Sequence, residues 1–227
     1  MGAVGNLIRK EFLLEWKQRY ALNGLLMYAL TMSFVIALAM KRDLDPGTWN
    51  AVYWIILLFV AVNAVAKSFM GENEGQGLYM YTLASPLAII TAKLIYNCLL
   101  LVGVSFITLL FYAWLSAPEF QVDGVVVAGG INLGGYALFI FLGCCGFAAN
   151  LTLVSAIASR AQNKTTLLAV LGFPLLIPQL MTVMSGSKKV LTGFPLSESW
   201  GELAFSGGFF VIIALVSFIL FPFLWRE

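Results

Sequence analysis

Histidine is absent from all 227 residues, and Asp, Glu, Lys and Arg together make up only 11% of them. The first absence removes the commonest metal ligand and the usual acid-base group near neutral pH. The second sets the chain apart from soluble domains, in which about a quarter of residues are charged. Cysteine is also scarce. Cys98, Cys144 and Cys145 all fall in apolar stretches, and two are adjacent, so the spacing suits neither a disulfide framework nor a metal site. No Gly-rich phosphate loop ending in Lys-Ser or Lys-Thr occurs, which excludes ATP binding by that route. Neither an internal repeat nor a low-complexity linker divides the chain.

What is present is apolar: 61% of residues are hydrophobic, the composition of an integral membrane protein. Charged residues leave six uncharged gaps of spanning length, at 20–40, 46–66, 94–118, 124–159, 165–187 and 203–225. A helix rises 1.5 Å per residue, so about 20 residues cross about 30 Å of hydrocarbon. The expected spans are about 21–40, 50–66, 94–116, 136–159, 166–186 and 203–225. The long fourth gap begins with Gly129, Gly130, Asn132, Gly134 and Gly135, read as an outer loop or interfacial segment before its span. A further uncharged gap, 75–92, contains Gly75, Gly77, Ser85 and Pro86 and is not expected to sit in lipid.

Basic residues orient the spans. With the N-terminus inside, Arg9, Lys10, Lys17, Arg19, Lys67, Lys93, Arg160, Lys164 and Arg226 face the cytoplasm, against Lys41, Arg42, Lys188 and Lys189 outside. Both termini are therefore expected inside. The first span is expected to be retained as an anchor, since no cleavable signal pattern precedes it. Trp16, Trp49, Trp54, Trp114, Trp200 and Trp225 fall near span ends, as an aromatic belt requires. The net charge of +2 is explained by these flanking residues, without a patch for nucleic acid.

Ile8, Phe12, Trp16 and Tyr20 recur every fourth residue among charges, so 5–20 is expected to form an interfacial helix. After the second span comes a segment, 67–93, that carries Glu72 and Glu74, then glycines, then a break at Ala84 to Pro86. Two short interfacial helices are expected there. Ser85 suits the cap of the second and Pro86 its first position, where the missing N–H costs nothing. Lys93 is expected to anchor the third span. Pro174 and Pro178 should kink the fifth, and 185–202 should form short outer helices or a re-entrant cap. Gly130 with Gly134, and Gly143 with Gly146, permit close helix approach.

No ionisable residue lies within any expected span, which argues against ion-coupled transport. Ser33, Ser105, Ser155 and Ser217 have no His or Lys partner nearby and are read as packing residues rather than nucleophiles. With no ion coupling and no nucleotide site in the chain, the 67–93 loop is the best route by which energy enters.

The order of these elements resembles the ABC-2 class of ATP-binding-cassette permeases. More narrowly, RKEFLLEWKQRYALNG at 9–24, TWNAVYWIILLFVAVNAVAKSF at 48–69, YMYTLASPLAIITAKLIYN at 79–97 and PLLIP at 174–178 resemble the haem exporter permease of the cytochrome c maturation system. The resemblance implies an all-α, six-span, single-domain membrane protein over 1–227, in the bacterial inner membrane, that is not itself catalytic. By it the 67–93 loop is the coupling element, with Glu72, Glu74, Leu78, Tyr79, Tyr81, Leu83, Pro86 and Lys93 docking on a cytoplasmic ABC ATPase that holds the ATP. It further implies a haem-handling membrane subunit and a small accessory membrane protein as partners. The chain itself is expected to bind no cofactor, since it lacks histidine and a distinctive set of axial ligands; haem is implied as a cargo held mainly by a partner, which this subunit's movement releases or hands on. Two readings stay beside this one: an ABC-2 permease for another hydrophobic cargo, and a non-transporting scaffold that recruits the ATPase.

Overall fold

A computed structural model of the protein describes residues 3–17, 19–40, 44–65, 69, 84–116, 121–122, 125–126, 132–159 and 163–224. Among these, seven α-helices dominate: α1 (Ala3–Lys17), α2 (Arg19–Ala39), α3 (Pro46–Val65), α4 (Pro86–Ser116), α5 (Leu133–Ala158), α6 (Lys164–Leu191) and α7 (Trp200–Leu224). Six of them, α2 to α7, are long and apolar enough to cross a membrane. The protein is a multi-pass, helical membrane protein. Between α4 and α5 the described residues also include a small antiparallel ladder, pairing Gln121 with Val126 and Val122 with Val125.

The bundle is built around α5. Of its apolar window 78% is buried, against 17% for α2 and 28% for α6 and for α7, so the outer helices turn most of their side chains to lipid or to neighbours. Helix α5 contacts α3, α4, α6 and α7. Its small residues explain the close approach: a Cβ on Gly143 would stand 2.5 Å from the Trp54 ring, and one on Gly146 would strike the Gln179 amide. That amide, fully buried, donates from Nε2 to Ser206 Oγ at 2.7 Å and so joins α6 to α7. Gly134 is at the exposed start of α5, where among the described residues only its capping neighbour Asn132 lies within 4 Å of an added Cβ; Gly130 lies outside the described residues. Gly186, which sequence spacing does not single out, abuts Phe139 and Glu202.

Several expectations change. Helix α4 runs unbroken for 31 residues, so the short helix expected between Pro86 and Lys93 is absorbed into the third span. An ionisable residue therefore does lie inside a spanning helix. Lys93 is 2% exposed. Thirty-one residues extend about 46 Å, well beyond about 30 Å of hydrocarbon, which leaves room for the first turns of α4 outside the apolar layer.

The aromatic belt is also only partial. Trp114 and Trp200 are exposed, but Trp49 and Trp54 are core residues, because each indole N–H finds a buried hydroxyl: Trp49 donates to Ser116 and Trp54 to Ser187. Lys188 and Lys189 belong to the last turn of α6, where cations complement the helix dipole. The chain then turns at Gly193, whose φ of 89° favours glycine, and a single 3₁₀ turn, Leu196–Ser199, leads into α7. Helix α6 continues through Pro174 and Pro178. Both lie on its exposed face, where the carbonyls of Val170 and Pro174 lose their usual i+4 donors.

Candidate functional site

The segment singled out by sequence is described only at its two ends, and both ends converge on one junction. At the far end, Ser85 precedes α4. Its carbonyl accepts from the backbone N–H of Ala88 and Ile89, and its Oγ lies 3.4 Å from the Ala88 nitrogen, so Ser85 caps α4 and Pro86 begins it. At the near end, Phe69 lies just beyond α3. Its N–H donates to Ser155 Oγ of α5 at 3.2 Å, and its ring packs against Phe221 of α7 with centroids 5.4 Å apart.

Phe69, Ile89, Ile90, Ala156 and Phe221 form one buried apolar cluster, with Leu7 of α1, Ala84 and Phe218 packed on it. Both flanks of the loop are thus embedded with α1, α4, α5 and α7. Glu72, Glu74, Leu78, Tyr79, Tyr81 and Leu83 lie outside the described residues. Pro86 is half-buried at the head of α4.

Lys93 stands at the centre of the junction. Its ammonium lies 4.6 Å from the centroid of the Phe69 ring, a cation-π distance, and 3.9 Å from Glu11 Oε1 of α1. Its side chain is 3% exposed and that of Glu11 17%. The ammonium therefore faces inward rather than outward to a docking partner. One helical turn on, Tyr96 packs edge-on against Phe12 with centroids 5.1 Å apart, and Glu15 lies beside it. Burial raises the Glu15 carboxyl above the ordinary range; the Tyr96 hydroxyl pulls it back down and the Glu11 charge pushes it further up.

Helix α1 thus turns its acids onto α4. Phe12 keeps 46% of its surface exposed, and Trp16 belongs to α1, although its side chain is outside the described residues. The charge pattern alone does not reveal this arrangement, because Glu11 and Lys93 are far apart in sequence.

A second network escapes the sequence altogether. Asn50 of α3 donates from Nδ2 to the Met184 carbonyl at 2.9 Å. Its Oδ1 accepts from Tyr136 at 3.2 Å and from Ser187 at 2.9 Å. Ser187 in turn accepts the Trp54 indole N–H at 2.8 Å. Around this core stack Trp49, Tyr53, Tyr112 and Tyr136, all 3% exposed or less. The Tyr53 hydroxyl donates to the Ser105 carbonyl and that of Tyr112 to the Trp49 carbonyl. Every member of this set has a partner, as buried polar groups in a membrane require. It is a rigid joint between α3, α4, α5 and α6.

The spanning serines behave as packing residues. Ser33, Ser105 and Ser217 each donate to a carbonyl of their own helix. Cys98, Cys144 and Cys145 are free thiols, and among the described residues no group of three or more His, Cys, Asp or Glu could hold a metal. Neither a known protein family nor a curated protein matches this chain.

Proposed function

We propose that the chain is the membrane permease subunit of an ATP-binding-cassette complex of ABC-2 type, acting in haem export or haem release for cytochrome c maturation. A separate cytoplasmic subunit hydrolyses ATP and docks on the 67–93 loop through Glu72, Glu74, Leu78, Tyr79, Tyr81, Leu83 and Pro86. Haem is the cargo. The haem-handling membrane subunit and the small accessory membrane protein complete the assembly in the bacterial inner membrane.

The observation that carries the reading is the apolar cluster that seats both flanks of that loop, Phe69 and Ala84, among α1, α4, α5 and α7. A force applied to the loop meets four helices at once, since close-packed interiors transmit displacement rather than absorb it. Lys93 belongs to this transmission layer, not to the docking face. Cargo and partners rest on the resemblance of the quoted segments alone.

A strain lacking this chain tests the cargo: loss of cytochrome c with the apoprotein still made supports the reading, and normal cytochrome c content sinks it. Charge reversal of Glu72 and Glu74 should lower co-purification of the ATPase. Unchanged recovery would place the docking face elsewhere.

A further inference from the structure

Two side-chain acceptors deep in the bundle lack a donor, and they belong to neighbouring amides. Asn150 of α5 and Gln179 of α6 are fully buried, and among the described residues neither Asn150 Oδ1 nor Gln179 Oε1 accepts a hydrogen bond. Such acceptors are costly at membrane depth, where no bulk water replaces the missing donor. The donor end of each amide is engaged elsewhere: Gln179 Nε2 with Ser206 Oγ of α7 at 2.7 Å, and Asn150 Nδ2 with the Gly146 carbonyl of its own helix at 3.1 Å. The two side chains meet at Gly146. A Cβ there would stand 2.7 Å from Gln179 Cδ, and Asn150 lies one turn further along the same face of α5. Consecutive spans run in opposite directions and helical side chains lean toward their own N-terminus, so these two amides lean toward each other.

We propose that Gln179 is a two-position latch. In the present arrangement it ties α6 to α7 through Ser206. In the second, the Gln179 and Asn150 amides pair reciprocally, Nε2 donating to Oδ1 and Nδ2 to Oε1, which ties α6 to α5 and gives both orphaned acceptors a donor. Nothing is orphaned in exchange. The Gly146 carbonyl keeps the backbone N–H of Asn150 within the helix, and the Ser206 hydroxyl turns to the Glu202 carbonyl four residues back, as Ser33 and Ser217 do in their own helices. The pivot lies at the same level. Pro178 immediately precedes Gln179 and Pro174 lies one turn before it, so α6 lacks two helical hydrogen bonds beside the latch and bends there at least cost. Close-packed helices move between discrete arrangements, and an amide with a partner on either side is such a bistable element. This inference does not depend on the cargo or on the ATPase.

Unfolding equilibria of the purified full chain in one detergent test the latch through a mutant cycle on Ser206 and Asn150. Ser206→Ala alone should be buffered, because Gln179 turns to Asn150. With Asn150→Leu also present the amide has neither partner, and the double variant should lose about five-fold more in the unfolding constant than the two single losses combined, the worth of one hydrogen bond between helices. That excess should vanish in a Gln179→Leu background, and Asn150→Leu with Ser217→Ala should show none. Additive losses overturn the proposal, as does an excess that persists in Gln179→Leu or arises equally with Ser217→Ala. A second measurement reads the amide itself: the side-chain signal of Gln179 in the full chain, labelled with ¹⁵N-glutamine in lipid nanodiscs and identified by its loss in Gln179→Leu. In Ser206→Ala it should take a second position, which adding Asn150→Leu abolishes; the same signal in both variants overturns the proposal. Where Asn150→Leu does not fold, Asn150→Ala replaces it in both measurements.

Discussion

Lys93 of α4 and Glu11 of α1 pair at 3.9 Å across the junction that also seats Phe69, and the two side chains are unequally protected, 3% against 17% exposed. That inequality sets the order of damage when either is removed. Glu11→Gln takes a carboxylate from beside an ammonium that is 3% exposed, whereas Lys93→Met leaves a carboxylate that water still reaches and that Lys10 also approaches to 3.9 Å. Removal of one partner of a buried pair costs about 3–5 kcal/mol. That range is the upper bound for Glu11→Gln, which should cost more than Lys93→Met. Thermal unfolding of the purified variants in one detergent measures the order; the reverse order would mean that the pair is solvated.

The glycines of α5 and α4 should separate sharply. Gly143→Ala pushes a methyl into the Trp54 ring at 2.5 Å, and Trp54 is fully buried and hydrogen-bonded, so it cannot swing away. A loss of about 1–3 kcal/mol is expected from such overpacking. Gly103 of α4, with nothing within 4 Å of an added Cβ, should tolerate alanine and gain up to about 1 kcal/mol from helix propensity. Denaturation midpoints of the two variants decide it.

Within the Asn50 network, Asn50→Ala removes the acceptor of the Tyr136 hydroxyl and the interhelical donor to the Met184 carbonyl, and should cost about 0.6–2 kcal/mol, the range for hydrogen bonds between helices in membranes. Tyr136→Phe should cost less, because Asn50 Oδ1 still accepts from Ser187. Unfolding of the two variants in the same detergent compares them, and comparable losses for both would mean that the Tyr136 hydroxyl carries the joint.

Two acids give opposite pH signatures. Asp45 caps α3, accepting from the Thr48 N–H at 3.0 Å; bonding to Thr48 first, with Lys188 nearby among the smaller contributions, lowers its carboxyl. Its stabilisation is present above the ordinary value of about 3.9 and is lost as pH falls through the lowered folded value. Asp45→Asn should keep the cap and flatten that acid limb, while Asp45→Ala should cost about 1 kcal/mol. Glu15, raised by burial, contributes in the other sense: its stabilisation is complete below the ordinary glutamate value and is lost as pH rises through the raised folded value. Glu15→Gln should remove this loss. Melting temperatures of the variants across the acid range measure both limbs.

The boundary at Ser85-Pro86 is legible in the sequence because capping is local chemistry: a hydroxyl three residues from the amide it accepts and a proline with no donor to lose. The six spans are legible for a similar reason, since an uncharged run long enough to cross the membrane announces itself. Lys93 is not, because a charge marks a span boundary only where it stays solvated. Its charge is compensated by a residue on another helix, and no local pattern reports that. Position along the helix puts Trp49 and Trp54 at an interface, but rotation about the helix axis, set by Ser116 and Ser187 as hydrogen-bond acceptors, turns them inward. The Asn50 network, drawn from three helices with a fourth stacked on it, leaves no trace in spacing.

The sequence by itself determined that the chain carries six segments fit to cross a membrane and is poor in ionisable groups, because burial in hydrocarbon is decided residue by residue through transfer free energy. It also determined where α4 begins. Only the tertiary structure decided which face of each helix meets lipid, that the acids of α1 turn inward onto Lys93, and that Phe69 and Ala84 share one apolar cluster. Those outcomes depend on pairing between distant residues, whose energies arise only once the helices are packed.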